Sequence, residues 1–82
     1  MELIIEIPVG GGVAKIDVFP DHTVGEVKEQ VCEKFGLQPQ VNALMFGGYV
    51  LDDSQTIGSS GIHEGARLAL LPYDLIAGTV IT

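Results

Sequence analysis

The chain has 82 residues, 46% of them hydrophobic, with four Lys and Arg against eleven Asp and Glu for a net charge of −7. This length holds one small domain with one compact core, and the acidic surplus argues against nucleic acid and anionic membrane surfaces, which are read by clustered basic residues. A single cysteine, Cys32, makes no internal disulfide. With no leader pattern and no apolar run of spanning length, a soluble, cytoplasmic, monomeric protein in a reducing compartment is expected.

Residues 2–7 are rich in β-formers, with Leu3, Ile5 and Ile7 on one side and Glu2, Ile4 and Glu6 on the other. Ile4 interrupts the alternation and places one apolar side chain on the outer face. Pro8 ends this strand, Gly10, Gly11 and Gly12 turn the chain, and residues 13–19 return with Ala14, Ile16 and Val18 inward. The two strands form a hairpin.

Residues 23–36 carry the strong helical pattern: Val24, Val27, Val31 and Phe35 recur at helical spacing and make one apolar stripe. Thr23 is a good N-cap, and Glu26, three residues on, can complete a capping box. Glu26 and Glu29 suit the positive end of the helix dipole and Lys34 the negative end. Gly36 can adopt the left-handed conformation that stops the helix. Gly25 in the first turn costs about 1 kcal/mol relative to Ala.

Beyond the helix, Leu37 can fold back on its end, and Gln38 and Pro39 extend the chain. Residues 43–46 read as a short strand with Leu44 and Phe46 inward and Met45 outward. Gly47 and Gly48 turn into a short partner strand at residues 49–51. Residues 56–60 suit one helical turn anchored by Ile57, and residues 66–71 form the last strong strand with Leu68 and Leu70 inward. One amphipathic helix on a sheet gives a two-layer α+β domain. Met45, Ala69 and Leu71 then lie on the face opposite the helix, and an apolar patch there is a partner site or is covered by the tail.

The chemistry-bearing side chains are scattered. His22 and His63 sit in separate turns without zinc-site spacing. The glycine run at 10–12 leads into a strand, not a helix, and no Lys-Ser/Thr follows, so it cradles no phosphate. Asp52 and Asp53 read as loop solvation, and Cys32 as a packing thiol flanked by glutamates that give it no activation. No catalytic residue, cofactor or metal is implied, and an enzyme is not expected.

With these pieces in place, the chain resembles the ubiquitin-like β-grasp family over residues 1–72. The likeness rests on Met1-Glu2-Leu3-Ile4-Ile5, Pro20-Asp21-His22-Thr23-Val24, Leu44-Met45-Phe46-Gly47-Gly48, Leu51-Asp52-Asp53, Thr56-Ile57, Gly61-Ile62 and Leu68-Ala69-Leu70-Leu71. It implies a mixed sheet covered by one main helix, with the first and last strands side by side at the sheet centre. It also implies a recognition face at Met45, Ala69 and Leu71, joined by a loop contribution near Pro8 or Val9. Three features depart from ubiquitin. The lysines are only Lys15, Lys28 and Lys34; Ala43 and Tyr49 replace basic residues beside the patch; and the chain does not end in Gly-Gly.

Residues 73–82 follow the domain of residues 1–72 as a C-terminal tail, in which Leu75-Ile76 and Thr79-Val80-Ile81 are apolar enough to lie on the sheet or add a strand to its edge. Its Pro72-Tyr73-Asp74 start resembles the ubiquitin-fold modifier family, which ends in a single glycine exposed by a cysteine protease. Gly78 would be that glycine, with residues 79–82 removed, although Ala77-Gly78 falls about one residue late and His63 replaces that family's chain-building lysine. The resemblance implies activating and conjugating enzymes and a processing protease as partners, with the nucleophilic cysteines on those enzymes. A glycine terminus suits this chemistry, because a residue without Cβ leaves its carboxylate unshielded. The other reading is a non-conjugated interaction module that meets ubiquitin-like-binding proteins through its outer sheet face.

Overall fold

The computed structural model describes residues 1–76. Among them, five strands form one mixed sheet: β1 (Glu2–Ile7), β2 (Gly12–Asp17), β3 (Asn42–Phe46), β4 (Tyr49–Val50) and β5 (Arg67–Pro72), in the spatial order β2-β1-β5-β3-β4. One helix, α1 (Val24–Phe35), packs on one face. β1 pairs antiparallel with β2 and parallel with β5, so the first and last strands do meet at the sheet centre. β3 pairs antiparallel with both β5 and β4. This is the ubiquitin-like β-grasp arrangement.

The period-2 patterns place the core as the sequence requires. Leu3 and Ile5 from β1, Ile16 from β2, Leu44 from β3, and Leu68 and Leu70 from β5 are buried against Val24, Val27 and Val31 of α1. Ile57 anchors the loop beyond β4, where a 3₁₀ turn spans Gly58–Ser60. A second 3₁₀ turn, Pro39–Val41, leads into β3 where an extended approach was expected. Phe35 ends the helical stripe but is 37% exposed, since the last turn of α1 runs past the core.

The start of α1 is held from two directions. The capping box is formed: the Glu26 amide donates to Thr23 Oγ1 at 3.1 Å, and the Thr23 amide donates to Glu26 Oε1 at 3.0 Å. The next orphan donors turn to the loop after β4, with the Val24 amide donating to the Gln55 carbonyl at 2.8 Å and the Gly25 amide to the Asp53 carbonyl at 3.0 Å. Every early amide of a helix needs such a partner. Gly25 is explained by this docking, because a Cβ there would sit 3.2 Å from the Asp53 carbonyl oxygen. At the far end Gly36 caps the helix with φ 67°, as expected.

Glu26 is held below its ordinary value of 4.5 by the Thr23 backbone and side-chain hydrogen bonds. A carboxylate whose folded pKa is depressed stabilises the fold above its unfolded pKa, and that stability is lost as the pH falls through the folded value. Thr23→Ala should therefore lower stability by about 1 kcal/mol in urea denaturation. Glu26→Gln should flatten the fall in stability below about pH 4.5, measured as the denaturation midpoint against pH.

Candidate partner interface

Alternation along the strands sends Met45, Ala69 and Leu71 to the face away from α1. The register joins them, with Met45 opposite Ala69 and Ala43 opposite Leu71. Next to this row lies an open groove of 520 Å³ lined by Met45, Tyr49, Val50, Leu71, Leu75 and Ile76. Its lining is apolar because β4 is a short edge strand whose two residues are both exposed, and because residues 73–76, beyond β5, turn helically against it. Tyr49 contributes a ring that is 77% exposed. Rings that bury much area for few torsional degrees of freedom are common at interfaces.

Pro8 and Val9 sit at the tip of the β1–β2 hairpin and are exposed. They line separate recesses, Pro8 beside Glu6 and Val13, and Val9 beside Phe35 and Leu37. The groove at Met45 and Leu71 does not include them. Gly78 lies outside the described residues, as do residues 79–82.

A second cluster lies on the helix side. Lys28 is only 3% exposed, yet its ammonium donates to Asp53 Oδ2 at 2.8 Å. Burial pulls the ammonium down, but the hydrogen bond and charge of Asp53 outweigh it and leave the pKa raised above 10.5. The stabilisation this gives is complete below the unfolded lysine pKa and is lost as the pH rises through the higher folded value. The Lys28 ammonium also lies 5.7 Å from the centroid of the Tyr73 ring, within cation–π range. Asp53 is therefore an ion-pair partner rather than loop solvation. Asp52 does serve its own turn, accepting from the Ser54 amide at 2.9 Å.

Lys28 was legible in principle, since it falls between Val24 and Val31 on the inward side of the helical pattern. Cys32 is fully buried, and burial pushes its thiol up while the Lys28 charge only partly opposes this. A thiol in that state is a poor nucleophile. Among the described residues no group of three or more His, Cys, Asp and Glu could hold a metal ion, and no helix is long and apolar enough to cross a membrane.

Known proteins place this architecture. The ubiquitin family matches residues 5–71, and the chain belongs to that family. It is 33% identical over 61 residues to the ubiquitin-like protein NEDD8 of Dictyostelium discoideum, covering 74% of this chain and 79% of that protein. It is 32% identical over 60 residues to the ubiquitin-like modifier HUB1 of Candida glabrata, covering 73% and 82%. An LRR repeats and ubiquitin-like domain-containing protein of Arabidopsis thaliana is 31% identical over 67 residues; this match takes 82% of the chain but spans only 18% of that protein. The solved structure of Caldiarchaeum subterraneum ubiquitin superposes with a TM-score of 0.82 at 34% identity, covering 88% of this chain and 91% of the other.

The ion pair, with Lys28 buried and Asp53 half exposed, yields an unequal prediction. Asp53→Ala strands a buried ammonium and should cost about 2 kcal/mol. Lys28→Met removes the charge while keeping the volume and should cost less than ~1 kcal/mol or stabilise. Urea denaturation of the two variants at neutral pH compares them directly.

Proposed function

We propose that the chain is a ubiquitin-like protein modifier, made as a precursor, processed after Gly78 and joined to target lysines through an activating-enzyme thioester cascade. The observation that carries this reading is the family match across residues 5–71, with an uncovered tail that contains one glycine in its last six residues. The likeness to a protein named as a ubiquitin-like modifier, over most of both chains, supports it. Proteins of this fold generally act as modifiers or modules rather than as enzymes, so the chemistry belongs to partners: an activating enzyme, a conjugating enzyme and a processing protease. In this reading residues 1–72 are the recognised domain and residues 73–82 the tail. The Pro-x-Asp start of that tail favours the ubiquitin-fold modifier type.

A second reading is favoured by the apolar groove. A non-conjugated module would bind ubiquitin-like-binding proteins through Met45, Ala69 and Leu71, with Pro8 and Val9 contributing from the hairpin tip. The Arabidopsis relative, in which the matched region is a small part of a larger protein, suits that use. Both readings operate without a cofactor.

The two separate by substitution. In its native cells, Gly78→Ala is expected to reduce covalent adducts at least tenfold on denaturing gels while leaving non-covalent capture intact; adducts at the original level would remove Gly78 from the chemistry. Met45→Asp puts a charge into an apolar contact surface and should weaken partner binding by about tenfold or more, measured by calorimetry with a captured partner. Unchanged affinity would exclude the outer face as the binding site.

A further inference from the structure

Residues 73–76 turn helically just past the end of β5 and reach both sides of the sheet. On the helix side, Tyr73 meets the Lys28 ammonium that Asp53 holds in place. On the outer side, Leu75 and Ile76 wall the groove with Met45 and Leu71. β3 and β5 run between these two contacts.

The outer face beside this groove is also closed at Ala43. This residue pairs with Leu71 and alternates with the core residue Leu44, so its methyl points to the outer face. It is nevertheless 1% exposed, and it stands outside the cluster of residues that make up the core. A small side chain on an outer face is buried either beneath larger neighbours on that face, here Leu71 and Met45, or beneath a segment that lies over it.

We infer that residues 73–76 form a two-sided latch on the β3–β5 edge: Tyr73, seated on Lys28, holds Leu75 and Ile76 over Ala43 and against Met45 and Leu71, so that part of the outer apolar face is closed by the chain itself. A single helical turn rises only about 1.5 Å per residue, which is too short to let one contact open independently of the other. The two sites are coupled, and the coupling is reciprocal. A partner that fills the groove displaces Leu75 and Ile76 and lifts Tyr73 from Lys28; loss of the Tyr73 contact opens the groove. On the conjugation reading proposed above, the same latch bears on the tail. Gly78 follows Ile76 by two residues, roughly 8 Å of chain at most, so presenting it to an enzyme draws the latch open.

Methyl and amide NMR of the 82-residue chain tests the latch without any enzyme, so failure of the conjugation reading leaves the result intact. Tyr73 is 41% exposed, so its replacement leaves the core in place, and unchanged amide signals from β1 and β2 verify this. In Tyr73→Ala, the Met45, Leu71 and Ile76 methyl signals should shift. The Ala43 methyl should become several-fold more sensitive to a soluble paramagnetic agent. Tyr73→Phe keeps the ring beside the ammonium and removes only the hydroxyl, so it should open the groove less than Ala does. If Tyr73→Ala leaves the Ala43 and Met45 methyls as they were, the two sides are uncoupled and the latch is wrong. If Tyr73→Phe opens the groove as Ala does, the cation–ring contact is not what holds it.

Discussion

The docking of the loop after β4 on the first turn of α1, where the Lys28–Asp53 ion pair sits, is the constraint that ties the separate parts of the structure together. A nearly buried ammonium on α1 is tolerable only with a partner at hydrogen-bond distance, and Asp53 supplies it from the loop after β4. That loop is therefore fixed against the first turn of α1, where its carbonyls also accept from the Val24 and Gly25 amides. Gly25 is the steric condition for the approach. One helix, one loop and, through Tyr73, the root of the tail are tied to a single charge.

The two faces of the domain have different tasks as a result. The inner face is closed by the aliphatic packing of α1 on β1, β3 and β5. The outer face is left apolar in an otherwise acidic molecule, around Met45, Ala69 and Leu71. Desolvating such a surface is favourable for a partner that supplies matching apolar groups. The bulk of the groove is made by short elements at the sheet edge: two residues of β4 and one turn of the tail root.

Much of this was legible in the sequence, where local chemistry and tertiary packing agree. The capping box at Thr23 and Glu26, the stop at Gly36, the Gly-rich hairpin and the alternations in β1, β2 and β5 each specify one outcome. The outward direction of Met45, Ala69 and Leu71 followed from the same period of two. What was not legible depended on contacts between distant segments. Asp53 looks like a solvated loop residue until Lys28, 25 positions earlier, is seen to be buried. Gly25 looks like a defect in a helix until the loop backbone arrives beside it. Ala43 reads as a replacement for a basic residue beside the patch, yet it is buried, opposite Leu71 on the outer face. The groove residues Tyr49 and Val50 carried a strand signal but no sign that they would wall a cavity with Leu75 and Ile76.

On the modifier reading proposed above, Gly78 in the tail of this ubiquitin-family domain is the point at which the protein is passed covalently between partners. The mass of the intact protein isolated from its native cells, read together with its heavier covalent species, tests this most directly. A form ending at Gly78, with Gly78 joined to lysines of other proteins, is the result a modifier predicts. A chain that extends past Gly78 in every species, with no covalent adducts, would contradict it and leave a β-grasp binding module.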